Sequence, residues 1–307
     1  MLIFAIILEI YNQQIKVKNK EISLFIKRED LLHPFVSGNK FRKLKYNMLQ
    51  AKLENQQQVI TFGGAFSNHI AATAYACKEN NLQSIGIIRG EELEFKTKLN
   101  PTLQFAQECG MKFEFVSREN YREKSEIAYL ENLQNKYGNH YLIPEGGAND
   151  LAVKGCEAIL TNQDENFDYV CCAVGTGTTI AGLINSSTSK QKILGFPALK
   201  GDFLQNDIRK FATKTNWELI TDYHFGGYGK VTPTLIEFMN QFYLDTNIPL
   251  DPVYTAKMVF GVLDLIDKNY FPKHSKILMI HTGGLQGIKG MNDYLASKKS
   301  IKIDYYE

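Results

Sequence analysis

The sequence predicts an α/β protein with largely parallel β-sheets. Short apolar runs rich in Val and Ile alternate along its 307 residues with segments in which apolar residues recur at helical spacing. Several of these runs end directly in glycine-containing polar turns, as strands do when a helix follows. The length is that of about two domains of roughly 150 residues each, with one large domain as the alternative.

A series of apolar segments is predicted to form the strands. The first, residues 1–8, is β-branched and closed by Glu9. It is far shorter than the ~20 residues of a membrane helix. It also lacks a basic leading segment and a small-residue cleavage site, so neither a membrane span nor a signal peptide is expected. The other predicted strands are residues 58–62, 84–88, 112–116, 169–174, 192–196 and 276–281.

Three of the predicted strands run into turns that could hold an anion. The turns are residues 63–68 (GGAFSN), 175–179 (GTGTT) and 282–284 (TGG). Because ligands collect at the carboxyl ends of parallel strands, we expect the turns to form one composite site. Alone, the turn at 175–179 is a weak signal. It lacks the lysine of a Walker motif and the spacing of a dinucleotide fingerprint, so a tight turn without ligand is its alternative.

Composition limits the functions that are possible. Thirty-five Lys and Arg residues against thirty-three Asp and Glu leave a net charge of +2, so no surface for nucleic acid is expected. The five cysteines form no CxxC pair and no Cys/His cluster at zinc spacing. We therefore expect reduced, mostly buried thiols, no metal site and a cytoplasmic location.

Residues 37–44 (SGNKFRKL) carry the clearest chemical signal. Lys40 follows a glycine turn, and Arg42 and Lys43 lie within three residues of it. Neighbouring positive charge and desolvation both lower the pKa of a lysine, which favours the neutral amine that a Schiff-base lysine needs. The alternative is a solvated basic helix start.

Several further segments occur in a familiar order. Together with 37–44 and 175–178, they are residues 27–30 (KRED), 66–69 (FSNH), 143–147 (IPEGG), 227–229 (GYG), 250–255 (LDPVYT) and 281–284 (HTGG). In this ordered set the chain resembles the 1-aminocyclopropane-1-carboxylate deaminase and D-cysteine desulfhydrase family of pyridoxal phosphate enzymes, over nearly its whole length.

The resemblance implies the tryptophan synthase β-like fold, known as fold type II of pyridoxal phosphate enzymes. Residues 1–42 and 156–307 would form a larger domain, and residues 43–155 a smaller α/β domain inserted into it. Both sheets would be open, twisted and mostly parallel, with pyridoxal 5'-phosphate in the cleft between the domains. A homodimer is implied by the resemblance only.

The resemblance also implies cofactor-binding roles. Lys40 would bond covalently to the cofactor and later move the substrate proton. Asn68 would hydrogen-bond the hydroxyl of the cofactor ring. The phosphate would be bound by Lys43 and by the turn residues Gly175, Thr176, Gly177, Thr178 and Thr179.

Further implied roles concern a small amino-acid substrate. Ser67, Asn68 and His69, with the backbone of their turn, would bind its carboxylate. Tyr228 and Tyr254 would surround the reacting carbon and the leaving group, and with Lys40 and Ser67 they are the catalytic candidates. Tyr254 as ordinary core and His69 as a turn cap are the alternatives.

Two positions bear on the reaction. Deaminases of the family typically have Glu where this chain has Thr255, and Leu where it has Thr282, whereas desulfhydrases carry small hydroxyl residues at both. A carboxylate beside the pyridine nitrogen keeps that nitrogen protonated and strengthens the electron sink that ring opening requires. Thr255 and Thr282, both counted among the cofactor contacts, therefore favour β-elimination of a thiol from a D-amino acid, giving pyruvate, ammonia and sulfide.

The alternatives stay open. They are an aminocyclopropane carboxylate deaminase, a D-serine-type dehydratase and, from another class, a cofactor-binding protein without catalysis. The chain also departs from the family at residues 70–74 (IAATA), where relatives commonly have a polar Arg-Gln pair, and it is somewhat shorter than they are. His281, at the end of a buried-type strand, is expected to be a core histidine.

Overall fold

A computed structural model of the chain describes residues 9–95, 100–201 and 203–305. The strand predicted at 1–8 lies outside these residues. The strands are, in chain order, β1 (Asn12–Ile15), β2 (Ser23–Lys27), β3 (Gln58–Gly64), β4 (Gln83–Arg89), β5 (Lys112–Val116), β6 (Tyr141–Ile143), β7 (Tyr169–Val174), β8 (Lys192–Pro197), β9 (Trp217–Leu219) and β10 (Lys276–Ile280).

The helices alternate with these strands. They are α1 (Asn39–Leu53), α2 (Asn68–Glu79), α3 (Pro101–Glu108), α4 (Arg118–Arg122), α5 (Ile127–Tyr137), α6 (Asp150–Glu157), α7 (Thr178–Ser186), α8 (Phe203–Arg209), α9 (Pro233–Thr246), α10 (Thr255–Asp267) and α11 (Gly287–Ser297). Within the described residues, none of these helices is long and apolar enough to cross a bilayer.

The strands form two sheets. One has six strands in the order β1-β2-β10-β7-β8-β9, and the other has four in the order β5-β4-β3-β6. Every pairing is parallel except β1 with β2. The α/β class with largely parallel sheets is therefore confirmed.

Both faces of the large sheet are covered. Along β7, Cys171 and Ala173 belong to one apolar cluster, whereas Val170, Cys172 and Val174 belong to another on the opposite face. A parallel strand buried on both sides is apolar at every position, which is why such runs stand out in the sequence. All five cysteines are free thiols and four of them are buried, as expected.

The predicted strands are all present within the described residues. Strands β5 and β7 have the predicted bounds, β3, β8 and β10 differ by one or two residues at one end, and β4 is one residue longer at each end. Four short strands were not predicted: β1 and β2, β6 and β9. Polar side chains in β1 and the three-residue lengths of β6 and β9 leave too little periodicity to detect.

The small sheet is built entirely from the chain between β3 and β6, while the large sheet takes strands from both sides of that segment. The predicted boundaries, after residues 42 and 155, fall within α1 and α6. These two helices touch closely, because a Cβ on Gly155 would lie 1.9 Å from the carbonyl oxygen of Arg42. The boundaries themselves stay a prediction.

Candidate active site

A cavity of about 730 Å³ lies at the carboxyl ends of strands from both sheets. Its walls include Ser67 and Asn68 after β3, Gly175 to Gly177 after β7 and Thr282 to Gly284 after β10, so all three predicted turns meet there. This is the edge of a parallel sheet at which ligands bind.

Lys40 reaches this cavity from the first turn of α1. The preceding Gly38 has φ +59°, and a Cβ there would lie 2.1 Å from the carbonyl oxygen of Thr282, so only glycine allows this close approach. Asn39 donates a hydrogen bond of 2.8 Å from Nδ2 to Thr179 Oγ1, which ties the start of α1 to α7. The position of Lys40 is therefore set by two other elements of the site.

Lys40 is half-buried, since part of it faces the cavity. Desolvation by the surrounding protein and, after it, the neighbouring Lys43 lower the pKa of Lys40 to about 7. A substantial fraction of the amine is consequently neutral at physiological pH, and the neutral amine is the form that attacks a carbonyl carbon.

The turn after β7 offers a phosphate-sized anion site. Gly177, with φ +84°, caps the N-terminus of the nine-residue helix α7, whose first backbone N–H groups have no partner within the helix. Lys43 is buried and donates from Nζ to the carbonyl oxygen of Gly146 at 3.0 Å and to Thr176 Oγ1 at 3.4 Å. A buried cation beside a helix N-terminus and threonine hydroxyls fits a phosphate group.

Helix α2 points its own N-terminus at the cavity. Ser67 caps it, its hydroxyl oxygen accepting a hydrogen bond from the Ile70 N–H at 3.4 Å. Asn68 lies against the turn after β10, because a Cβ on Gly284 would be only 2.5 Å from Asn68 Nδ2. Ser67 and Asn68 thus present a hydroxyl and an amide to the same space as Lys40.

The imidazole of His69 is held in one tautomer. Thr61 donates its hydroxyl proton to the Ile143 carbonyl oxygen at 2.8 Å, so it accepts from His69 Nε2, also at 2.8 Å. Nδ1 is then an acceptor, and it is buried with no hydrogen-bond partner among the described residues. Burial and the cations Lys40 and Lys43 hold the pKa of His69 well below its usual range, so the ring is neutral.

Tyr228 and Tyr254 face each other across the cavity edge, with ring centroids 6.1 Å apart and planes at 64°. Gly175 leaves room for the second ring, since a Cβ there would lie 3.0 Å from Tyr254 Cε1. Burial raises the pKa of Tyr254 well above its usual range. The pKa of Tyr228 is also raised, chiefly because the protein partly desolvates its hydroxyl, although 46% of the residue is exposed. Both phenols are proton donors at neutral pH.

Two predicted residues do not line the cavity: Thr178 and Thr255. The Thr255 hydroxyl is buried and used within its own turn. It donates to Asp251 Oδ1 at 2.7 Å and accepts from the Asp251 N–H at 2.9 Å. The other predicted site residues line the cavity, namely Lys40, Lys43, Ser67, Asn68, His69, Gly175, Thr176, Gly177, Thr179, Tyr228, Tyr254 and Thr282.

His281 has the expected structural role. It is fully buried, with Nε2 2.6 Å from the carbonyl oxygen of Pro249 and Nδ1 accepting from the Gly283 N–H at 3.2 Å. It therefore braces the turn after β10.

Sequence reasoning missed four cations near the site. Three of them line the cavity in segments that carry no motif: Arg89 and Lys124 from the small-sheet side, and Lys210 after α8. The fourth, Lys257, lies behind Tyr228: it is 2% exposed and donates from Nζ to the carbonyl oxygens of His224 and Gly227, both at 2.9 Å. A lysine on a helix face that is otherwise apolar was the available signal for Lys257.

Comparison with known proteins shows what the chain is similar to. It matches the family described as pyridoxal-phosphate dependent enzyme over residues 9–283. An Arabidopsis thaliana protein named bifunctional D-cysteine desulfhydrase/1-aminocyclopropane-1-carboxylate deaminase is 34% identical over 303 residues, which cover 89% of this chain and 75% of that one. The 1-aminocyclopropane-1-carboxylate deaminase of Rhizobium rhizogenes is 26% identical over 308 residues, covering 88% and 89%.

A solved structure supports the same conclusion at the level of the fold. The crystal structure of an ACC deaminase homologue superposes with a TM-score of 0.81 at 30% identity, covering 94% of each chain. The fold expected from the resemblance is thereby confirmed, and the similarity spans both sheets and the cavity between them.

Proposed function

This chain belongs to the family of pyridoxal-phosphate dependent enzymes, and from that premise we propose that it eliminates a thiol from the β-carbon of a small amino acid, with D-cysteine as the expected substrate. One observation carries this proposal. Among the described residues that line the cavity, every carboxylate is held in an ion pair. The two acids there are Glu145, 3.4 Å from Lys124, and Asp207, 2.7 Å from Lys210. Position 255 holds a neutral hydroxyl.

That observation distinguishes two reactions. Opening a cyclopropane ring needs a strong electron sink, which a carboxylate next to the pyridine nitrogen would reinforce. Expelling a thiolate is easier, because sulfur is a good leaving group. Both acids of the cavity are paired, and Thr255 lies outside its lining and brings no carboxylate to it, so the site favours thiol elimination.

The residues of the cavity fit the cofactor. Pyridoxal phosphate, when bound, supplies the electron sink that stabilises negative charge at the substrate α-carbon. Lys40 would hold it covalently, Asn68 would hydrogen-bond its ring hydroxyl, and Lys43 with the turn before α7 would bind its phosphate. These assignments are supported by the buried cation, the helix N-terminus and the lowered pKa of Lys40 described above.

The start of α2 would bind the substrate carboxylate. Ser67 can donate its hydroxyl proton, and the backbone N–H groups of Asn68 and His69 belong to the first turn of the helix, where intrahelical partners are lacking. The neutral His69 ring offers a lone pair at Nδ1 and so cannot donate to a carboxylate from that atom. His69 would therefore contribute through its backbone.

Lys40 and the tyrosines would move the protons. The amine of Lys40 would remove the α-proton, and the hydroxyl of Tyr228 or Tyr254 would donate to the departing sulfur, since both phenols are protonated at neutral pH. The overall reaction balances as D-cysteine plus water giving pyruvate, ammonium and hydrogen sulfide.

A substrate panel tests the proposal. We expect D-cysteine to release keto acid and sulfide faster than L-cysteine, D-serine or aminocyclopropane carboxylate release their products. Lys40→Ala should lower turnover by ~100-fold or more. It should also abolish the visible absorbance of the lysine-bound cofactor and the covalent attachment of the cofactor at residue 40 that borohydride reduction produces in the wild type. Lys45→Ala, at an exposed position on the same helix, is the matched control.

The second candidate is the deaminase activity named for the Rhizobium relative. Faster turnover of aminocyclopropane carboxylate than of D-cysteine would establish it and overturn the argument from Thr255. A protein that carries the cofactor but turns over no amino acid of the panel would instead be a non-catalytic binder.

Two expectations about the cellular form stay predictions. The homodimer follows from the resemblance alone. The cytoplasmic location follows from the sequence, while the Arabidopsis relative is described as mitochondrial.

A further inference from the structure

A second cavity of about 500 Å³ adjoins the first on the small-sheet side. The two cavities share four lining residues, which form the wall between them: Gly64, Arg89, Lys124 and Glu145. The two cavities therefore meet at these four residues.

The second cavity carries an excess of positive charge. Four cations line it, Arg89, Arg118, Arg122 and Lys124, against two carboxylates, Glu92 and Glu145. Arg118 pairs with Glu92 at 2.6 Å and Lys124 with Glu145 at 3.4 Å. Arg89 and Arg122 form no ion pair with any carboxylate of the described residues. The second cavity therefore carries two positive charges that no paired carboxylate balances.

Of these two, only Arg89 also reaches the first cavity. It is the last residue of β4 and lies opposite Gly64 in the parallel register. A Cβ on Gly64 would lie 3.7 Å from Arg89 Nη2, so the guanidinium lies beside Gly64. The guanidinium carbon is also 5.6 Å from the ring centre of Tyr121, a 2% exposed residue, and this contact supports the side chain.

Arg89 lines the first cavity together with Tyr228. Its positive charge acts on Tyr228, where it opposes the rise in pKa that burial causes. Tyr228 is one of the two phenols that would protonate the departing atom. A group attached to that atom would consequently extend towards Arg89.

We propose that Arg89 and the second cavity form a subsite for a carboxylate at the far end of the substrate's β-substituent. The inference rests on the proposed function and names its substrate class: β-substituted alanines whose thioether substituent ends in an acid. A guanidinium binds a carboxylate through two parallel hydrogen bonds, and an unpaired one in a protein cavity is suited to that ligand.

The reaction of such a substrate has the same stoichiometry as the reaction of cysteine. The bond between Cβ and sulfur breaks, the α-proton leaves, and water is consumed. A substrate RS–CH2–CH(NH3+)–COO− plus water gives pyruvate, ammonium and the thiol RSH, with R ending in a carboxylate.

A pair of nearly isosteric substrates tests the subsite. S-carboxymethyl-cysteine and S-carbamoylmethyl-cysteine differ only in the terminal acid or amide, and each is assayed as the enantiomer that the wild-type enzyme prefers for cysteine. We expect the wild type to favour the acid by about tenfold or more in kcat/KM, the size of a charge-assisted hydrogen bond. Arg89→Gln should reduce that ratio to about one.

Arg209→Gln is the matched control, because Arg209 is an exposed arginine at the end of α8 that lines neither cavity. It should retain the wild-type preference for the acid. Equal kcat/KM values of wild type for acid and amide would overturn the subsite. So would an Arg89→Gln variant that loses both substrates to the same extent, since that result indicates a structural role.

Failure of the proposed function is distinguishable from failure of the subsite. If the wild type turns over neither cysteine nor the two thioethers, equilibrium dialysis of both thioethers against the wild type and Arg89→Gln still decides the question. Tighter binding of the acid by wild type alone supports the subsite, and equal binding of acid and amide overturns it.

Discussion

At the scale of single residues, the site depends on one lysine whose charge is made unfavourable by its surroundings. Lys40 and Lys43 are one helical turn apart at the start of α1, and the Glu29 carboxylate of the neighbouring segment is taken by Arg42 in an ion pair of 2.8 Å. Arg42 thus uses the Glu29 carboxylate, and the charge of Lys43 remains to oppose the protonation of Lys40.

The first prediction concerns the effect of the Lys43 charge on the pKa of Lys40. Replacing the neighbouring cation by Lys43→Met should raise the pKa of Lys40 above about 7, because a like charge that disfavours the ammonium form is removed. The pH dependence of Lys40 labelling by an amine-reactive reagent, followed by peptide mass spectrometry on cofactor-free protein, measures this pKa. Lys45→Met should leave the midpoint where it is in the wild type. An unchanged midpoint in Lys43→Met would contradict the electrostatic explanation.

At the scale of elements, the site depends on a close crossing of helices. Helix α1, which carries both lysines, meets α6 at Gly155, where the carbonyl oxygen of Arg42 occupies the space of a side chain. A backbone oxygen cannot rotate away as a flexible side chain can. The crossing therefore tolerates only glycine at residue 155.

We expect Gly155→Ala to destabilise the protein by about 1–3 kcal/mol, as overpacking does, although alanine is the better helix former. The displaced α1 should also bind pyridoxal phosphate more weakly. Urea unfolding and titration with the cofactor measure the two effects.

Gly290→Ala is the matched control for this helix glycine. A Cβ at Gly290 would lie 3.1 Å from the ring of Phe66, which is 57% exposed and can shift. The Gly290→Ala substitution should leave the free energy of unfolding unchanged or raise it slightly. If Gly155→Ala were as stable as Gly290→Ala, the close crossing would not constrain the site.

At the scale of the whole molecule, buried polar groups connect parts of the large sheet that are far apart in sequence. Lys27 on β2 pairs with Asp164 at 2.7 Å across 137 residues, and Asn12 on β1 donates to the same carboxylate at 2.8 Å. Both charged residues are at most 5% exposed. The pair joins the chain before the small sheet to the chain after it.

The pair predicts how stability depends on pH. Burial alone would raise the pKa of Asp164, but the hydrogen bonds from Lys27 and Asn12 outweigh it and leave the pKa below its ordinary value. A carboxylate with a lowered folded-state pKa stabilises the protein above its unfolded-state pKa, and that contribution is lost as the pH falls through the folded value.

Asp164→Asn leaves Lys27 buried without its counter-charge, so we expect a loss of about 3–5 kcal/mol at neutral pH. The difference from wild type should shrink in acid. Urea unfolding of both proteins at neutral and acidic pH gives these free energies. Glu21→Gln, which breaks the exposed pair with Lys273, should cost less than about 1 kcal/mol. A loss of unfolding free energy in Asp164→Asn that was larger at acidic than at neutral pH would contradict this prediction.

Much of this molecule follows from local signals in the sequence. The apolar runs of β3, β4, β7, β8 and β10 were predictable because strands buried on both faces have few polar positions. The turns after β3, β7 and β10 were predictable because glycine and small polar residues mark the junction of a strand with a helix. Lys40 was predictable because the neighbouring cations lie beside it in sequence.

The remaining features depend on contacts between distant segments. Thr255 could be assigned to the cofactor by resemblance, yet the structure engages its hydroxyl with Asp251. The tautomer of His69 depends on Thr61 and, through it, on the carbonyl of Ile143. No periodicity or motif records such partners.

The sequence by itself thus determined the α/β class, the edge of the sheet at which the cavity lies and the lysine that reaches it, because each is encoded in residues adjacent along the chain. Only the tertiary structure decided which charges stay unpaired. Arg89 is an ordinary surface arginine in the sequence, and it faces both cavities because β4 ends opposite Gly64 and α4 supplies Tyr121 beneath its guanidinium. Pairing between residues far apart in sequence is a property of the packed chain alone.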